Sequence, residues 1–360
     1  MTFLRRLVYK LAAAVFAVLV ILYVRSDVNP ERWSPAPLPA LTGEFSVEPG
    51  DGFINAAYLR VPTHGPEDVT IDPQGRLVTG LSDGSIVRFD QESGQTEELV
   101  NTGGRPLGLQ YDSSDNLIIA DGKKGLLLLR PDGRLDVLTD QVNGTPMRLV
   151  DDLDIAADGT IWFSDASRRF GLDNYMKDIL EASFTGRLLS YSPRTGETTV
   201  HMDGLYFANG VALGPDDEFV LVNETGTGRI HRLWLSTAKK GERDVFHDGL
   251  PGHPDNLSFN GVDTFWVALP ALRSSSREKT SNSVFIRKLL GGLPASRLNV
   301  PTSVGFVVGL DVSGKVTHVL YKDPAVVSAI TSVNEYGGQL AIGSLTSEQI
   351  MRLPVPTPRL

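Results

Sequence analysis

A unit recurs along this chain from residue 73 onwards: a polar turn carrying Asp, Asn or Gly, a short apolar strand, a second turn and a second strand. One copy runs Pro73-Gln74-Gly75-Arg76-Leu77-Val78-Thr79-Gly80, then Asp83-Gly84-Ser85-Ile86-Val87-Arg88-Phe89. The next is Asp115-Asn116-Leu117-Ile118-Ile119-Ala120, then Lys124-Gly125-Leu126-Leu127-Leu128-Leu129. Further copies open at Asp158-Gly159, Asp216-Asp217, Gly261-Val262 and Tyr336-Gly337, giving six signals. Clean copies lie about forty to sixty residues apart, the repeat of a propeller sheet and far beyond the hairpin spacing of a sandwich. The expected fold is all-β, a six-bladed β-propeller, and 36 glycines with 22 prolines suit many tight turns better than long helices. Blades bury their faces on one another, and their innermost strands surround a central channel where function gathers.

Ahead of the repeats, Leu7 to Val24 is apolar except for Lys10. At about 1.5 Å per helical residue it reaches roughly 27 Å, about the thickness of a bilayer core. Tyr23, Val24, Arg25, Ser26 and Asp27 make a poor small-x-small cleavage site, which favours a retained transmembrane helix over a removed signal peptide. Arg5, Arg6 and Lys10 precede the span and only Arg25 follows closely, so the positive-inside rule keeps the N-terminus cytoplasmic and the body outside, in the periplasm if the cell is bacterial. The expected organisation is an anchor over 1–25, a Pro-rich semi-extended stalk over 26–50 (Pro30, Pro35, Pro37, Pro39 and Pro49) and a propeller over 51–360. The mixed stretch Ser274 to Arg297 reads as a loop with a short helix over one end of the channel.

Composition removes several function classes. Lys+Arg of 34 against Asp+Glu of 43, a net charge of -9, repels phosphate backbones and argues against nucleic acid. Zero cysteines exclude disulfides, thiolate metal sites and a cysteine nucleophile. No Gly-x-Ser-x-Gly elbow and no phosphate-cradling glycine loop occurs. His64, His201, His231, His247 and His318 are expected on loops or exposed strand faces, without a zinc-like spacing.

Four segments put oxygen-bearing side chains where innermost strands should begin: Glu67-Asp68-Val69, Asp151-Asp152-Leu153, Asn209-Gly210-Val211 and Asp255-Asn256-Leu257. Each precedes a repeated turn by a similar number of residues, so all should converge on the axis. Glu67, Asp151, Asn209 and Asp255 would then offer oxygens with no nitrogen or sulfur donor, a set that suits a hard cation such as Ca2+. Singly, such residues are ordinary before strands; four in register point to a metal.

Gly104-Arg105-Pro106-Leu107-Gly108-Leu109, Val150-Asp151-Asp152-Leu153, Phe163-Ser164-Asp165, Phe207-Ala208-Asn209-Gly210-Val211, Glu224-Thr225 and Pro251-Gly252-His253-Pro254-Asp255-Asn256 together resemble the strictosidine synthase-like family. The resemblance covers about residues 45 to 355. It implies a calcium-binding propeller in a wider group of ester, lactone and organophosphate hydrolases, with ligand roles for Glu67, Asn209, Asp255 and Asn256. Asp151 departs from the family pattern, which usually has Asn there; the added charge should tighten cation binding and lower the metal's electrophilicity. The catalytic Glu of true strictosidine synthases is also missing, since Ser328-Ala329-Ile330-Thr331-Ser332-Val333 occupies that segment, which argues against carbon-carbon bond formation.

The expected function is hydrolysis of a small-molecule ester or lactone, with the metal polarising the carbonyl. Asp255 would be nucleophile or base, and His253, two residues earlier, a candidate proton shuttle, although a histidine beside a turn proline more often fills a hydrogen-bonding site. Asp152 and Asp165 read as supporting or turn residues. The competing expectation is a non-catalytic propeller in which the cation ties inner strands together and a face binds ligand or protein.

Overall fold

The computed structural model describes residues 2–47, 52–90, 94–236, 238–298 and 302–358. Six four-stranded antiparallel sheets make up the body, and a two-stranded ribbon, Gln141–Val142 with Thr145–Pro146, lies beside them. The innermost strands are Val69–Ile71, Pro106–Tyr111, Val150–Ile155, Ala208–Leu213, Leu257–Phe259 and Ile330–Tyr336. Each touches the next in chain order, and the last touches the first, so the sheets form a closed ring. This is a six-bladed propeller, one blade per repeated signal.

Turn chemistry explains the periodicity. Asp72 Oδ1 accepts the N–H groups of Gln74 and Arg76 at 3.0 and 2.8 Å, and Asp112 and Asp311 capture the N–H groups two and four residues on in the same way. Gly75 takes φ 79° inside the first of these turns, a conformation that disfavours any side chain with a Cβ. Between the turns, second strands such as Ile161–Asp165 and Thr264–Ala268 are buried throughout. Phe163, Phe265, Trp266 and Phe306 are among the largest fully buried side chains, each stabilising the blade stack by about 1.5–3 kcal/mol.

The ring is shut by the two ends of the propeller sequence. Ala57–Arg60 is the outer strand of the last blade, antiparallel to Gln349–Pro354, with Ala57 opposite Arg352 and Arg60 opposite Gln349.

Among the described residues four α-helices stand outside the blades: α1 (Thr2–Arg25), α2 (Tyr175–Glu181), α3 (Ser275–Lys279) and α4 (Val284–Gly291). Helix α1 is long and apolar enough to cross a membrane. Helix α2 is inserted between the second and third strands of the third blade, and α3 and α4 occupy the corresponding place in the fifth.

Two expectations change here. The stretch Ser274 to Arg297 holds two helices and a 3-10 turn, and α4 packs on α1 and α2. Cover for the channel comes from α2, whose short run of seven residues carried no sequence signal. The expected stalk is extended but is packed down: Ser26, Val28 and Pro30 are buried, Asn29 N–H donates to Glu181 Oε2 at 2.6 Å, and Arg273 Nη2 donates to the Ala36 carbonyl at 2.6 Å. Phe45 completes the anchoring by entering the core between the fourth and fifth blades. Pro49 lies outside the described residues.

Candidate metal centre

Aligning the innermost strands on their paired core residues Val69, Leu109, Leu153, Val211, Leu257 and Val333 puts Glu67, Leu107, Asp151, Asn209, Asp255 and Thr331 at one equivalent position. In four of these strands the pairing register shifts immediately before the aligned residue, at Pro106/Leu109, Val150/Leu153, Ala208/Val211 and Ile330/Val333. Such irregularities re-aim side chains out of the ladder. Glu67 and Asp255 instead stand two residues ahead of the unshifted strands Val69–Ile71 and Leu257–Phe259, and one carboxylate oxygen from each of Glu67, Asp151 and Asp255 lies within 4.8 Å of the others.

Asn209 joins them, donating Nδ2–H to Asp255 Oδ1 at 2.6 Å. Asn256, one position further along, donates Nδ2–H to Glu67 Oε2 at 3.3 Å. The amide oxygens of Asn209 and Asn256 are buried without a hydrogen-bond partner among the described residues. Three carboxylates and two unsatisfied amide oxygens, with no nitrogen or sulfur donor among them, fit a hard divalent cation. Thr331, by contrast, donates its hydroxyl to the Glu67 carbonyl at 2.6 Å and places no carboxylate at its position.

Electrostatics agree with that donor set. Burial, followed by the Asp255 and Asp151 charges, pushes Glu67 well above the ordinary carboxylate range. Asp151 is raised by burial and by Asp255, Asp152 and Asp165. Burial pushes Asp255 up to about 7, opposed by the Asn209 hydrogen bond. Arg105, buried and itself lowered by burial, is the guanidinium that works against the rise at Glu67 and Asp151. Sequence reasoning passed over it because a single Arg before a proline carries no local mark of what it faces.

The neighbouring residues hold these side chains in place. Asp152 Oδ2 accepts the Val211 N–H at 2.8 Å, and Asp68 Oδ2 accepts the Leu109 N–H at 2.9 Å, each carboxylate clasping the next blade. Asp165 pairs with Arg187 in a fully buried ion pair and accepts the Leu149 N–H at 3.1 Å, fixing the approach to Asp151. Glu224 does the same for Tyr206, accepting its N–H at 2.9 Å, and also pairs with His231 Nε2 at 3.0 Å. His247 and His318 are buried, correcting the expectation that these histidines occupy loops or exposed faces. His247 Nδ1 meets the Gly314 carbonyl at 2.9 Å and His318 packs on Trp266.

Above the carboxylates lies a cavity of about 430 Å³, walled by apolar side chains including Leu107, Leu149, Met176, Ile179 and Phe207. Glu67, Asp151, Asn209, Asp255 and His253 form its polar part. His253 Nδ1 lies 3.0 Å from the Thr225 carbonyl; that oxygen can only accept, so the imidazole carries its proton there and Nε2 is its basic nitrogen. A second cavity of about 300 Å³, lined by Asp68, Asp152, Asp154 and Asn334, lies further along the same inner strands.

Residues 151–238 match the strictosidine synthase family and residues 56–89 the strictosidine synthase-like N-terminal family. Protein strictosidine synthase-like 4 of Arabidopsis thaliana is 32% identical over 339 residues, spanning 90% of both chains. The adipocyte plasma membrane-associated protein of Rattus norvegicus is 31% identical, spanning 98% of this chain and 99% of its own. Among solved structures, a gluconolactonase from Xanthomonas campestris superposes with a TM-score of 0.61 at 18% identity, covering 92% of this chain and 96% of its own. The calcium-binding protein regucalcin from Agrobacterium tumefaciens gives 0.59 at 15%, covering 84% and 95%. These two likenesses are of fold. With the propeller, the motif segments and full-length relatives in agreement, the chain belongs to the strictosidine synthase-like family.

Proposed function

We propose that this protein is a membrane-anchored, calcium-dependent hydrolase of apolar esters or lactones. The observation that carries the reading is the meeting of Glu67, Asp151 and Asp255 within 4.8 Å at the floor of an apolar cavity. Those three, with Asn209 and Asn256, would hold the calcium. When bound, it supplies positive charge to polarise a substrate carbonyl and to stabilise the oxyanion that develops. The gluconolactonase and regucalcin folds support the choice of reaction and of metal.

The chain's own groups account for the rest. The cavity's apolar walls take the acyl or ring portion of the substrate and exclude water around it. Asp255, only partly buried, presents its carboxylate to that space while Asn209 fixes its orientation. His253, on the same wall, would relay a proton between the attacking water and the leaving oxygen. Thr331, bonded to the Glu67 carbonyl, puts no carboxylate at its position on the last blade, which favours hydrolysis over carbon-carbon condensation. Helix α1 tethers the propeller with its N-terminus in the cytoplasm, as Arg5, Arg6 and Lys10 direct.

The test is turnover by the purified full-length protein across a panel of lactones, aryl esters and phosphotriesters. Activity that disappears on chelation and in Asp255→Ala is the expected result. A rise in melting temperature with calcium, but no turnover of any substrate, would replace the enzyme with a calcium-stabilised binding propeller.

A further inference from the structure

Helix α4 is turned the opposite way from an ordinary surface helix. Phe285, Ile286 and Leu290 are 59%, 44% and 36% exposed. Its two cations face the protein instead. Arg287 donates from Nη1 to the Leu180 carbonyl at 3.0 Å and from Nη2 to the Ser281 carbonyl at 2.7 Å, and also reaches the Glu31 carbonyl. Lys288 Nζ donates to the Val28 carbonyl at 2.6 Å and to Asn29 Oδ1 at 2.9 Å. In water this arrangement costs free energy, because apolar side chains meet solvent while charged ones are spent on backbone carbonyls.

The position of α4 says what covers that face. Its Phe285 ring lies 5.8 Å from the ring of Tyr23 in the last turn of α1, and Gly292 abuts the Leu22 backbone so tightly that a Cβ has no room. The apolar patch of α4 is therefore continuous with the body-side end of α1, where an anchor leaves the hydrocarbon. We propose that α4 is a second membrane contact, an interfacial helix whose Phe285, Ile286 and Leu290 sit in the headgroup boundary beside the anchor. The inference rests on the reading of α1 as a membrane span. Interfacial helices bury their apolar face about 5–10 Å into that boundary, enough to take up all three side chains. Helix α2, which roofs the cavity, packs against α4, and α4 in turn packs against α1. The cavity roof is thereby held beside the lipid surface, where apolar esters concentrate.

The absence of native cysteine makes the test direct. Single-cysteine variants Phe285→Cys, Leu290→Cys, Leu19→Cys in α1 and Val262→Cys on a remote exposed turn are labelled with an environment-sensitive fluorophore. Each full-length chain is reconstituted at one copy per phosphatidylcholine nanodisc, with and without spin-labelled lipid, and Ile286→Cys replaces either α4 variant whose melting temperature falls. The expected result is blue-shifted emission at 285, 290 and 19, quenched by spin-labelled lipid and shielded from aqueous iodide, with the reverse at 262. Labels at 285 and 290 that behave like 262, while 19 meets lipid, overturn the interfacial helix and leave the anchor standing. If 19 fails as well, both readings fall. Labels shielded from iodide without quenching by spin-labelled lipid show a protein contact, a second copy or another chain, and also overturn the proposal.

Discussion

Asn209 and Asp255 lie on the innermost strand of the fourth blade and just ahead of that of the fifth, 46 residues apart, yet the amide of one donates to the carboxylate of the other at 2.6 Å. That bond joins two blades at the axis and sets the face that Asp255 turns to the cavity. It also places a neutral donor where a carboxylate cluster would otherwise be opposed chiefly by Arg105.

The first expectation concerns the charge itself. Asp255→Asn removes one of three crowded carboxylates, so in the presence of chelator the variant should melt at or above the wild-type temperature. Calcium should raise the wild-type melting temperature and leave the variant's unchanged. A variant that keeps the full calcium shift would show that Asp255 is not a ligand.

Proton linkage gives a second. Carboxyl groups whose pKa is higher in the folded than in the unfolded chain bind protons more tightly when folded, so their contribution is present at low pH and is lost as pH rises. In chelator, stability should fall between about pH 4, where unfolded carboxyls titrate, and about pH 7, to which burial pushes Asp255. Saturating calcium should flatten that decline. Urea midpoints measured across the range with and without the metal decide the matter, and a stability that climbs with pH in chelator would contradict the cluster.

Third, Gly210→Ala should destabilise the axis without altering any functional group. A Cβ there would stand 2.5 Å from the Asp255 carbonyl oxygen and 2.6 Å from Asn223 Nδ2, besides crowding the Leu257 amide. The cost expected is about 1–3 kcal/mol, accompanied by weaker calcium binding in calorimetry because the Asp255 strap must move.

Fourth, Arg187→Ala leaves Asp165 as a buried charge without its partner, a loss of about 3–5 kcal/mol. Asp165 also holds the Leu149 N–H ahead of Asp151, so calcium affinity should drop in the same variant. The double variant Asp165→Asn with Arg187→Met should recover part of the stability in chemical denaturation.

How much of this was legible before folding depends on range in the chain. The Asp/Gly turns are local, since Asp72 or Asp112 captures N–H groups only two and four residues on, and each left its own mark in the sequence. Glu67, Asp151, Asn209 and Asp255 were readable because repetition gave them a common register, although their convergence depends on blades separated by long intervals. Arg105, the roof residues Tyr175, Met176 and Ile179, and the buried His247 and His318 have no such register. Their surroundings are assembled by contacts such as His247 with the Gly314 carbonyl, 67 residues away, which no local pattern encodes. The prolines of the segment after α1 suggested extension, but not that Arg273 and Lys288 would bind its carbonyls from insertions far downstream.

Because Ala57–Arg60 pairs with Gln349–Pro354, ring closure must wait for about 290 further residues to emerge during synthesis. A nascent chain therefore holds an unpaired strand edge until Gln349–Pro354 arrives, and truncation ahead of that strand leaves every earlier blade made but the circle open.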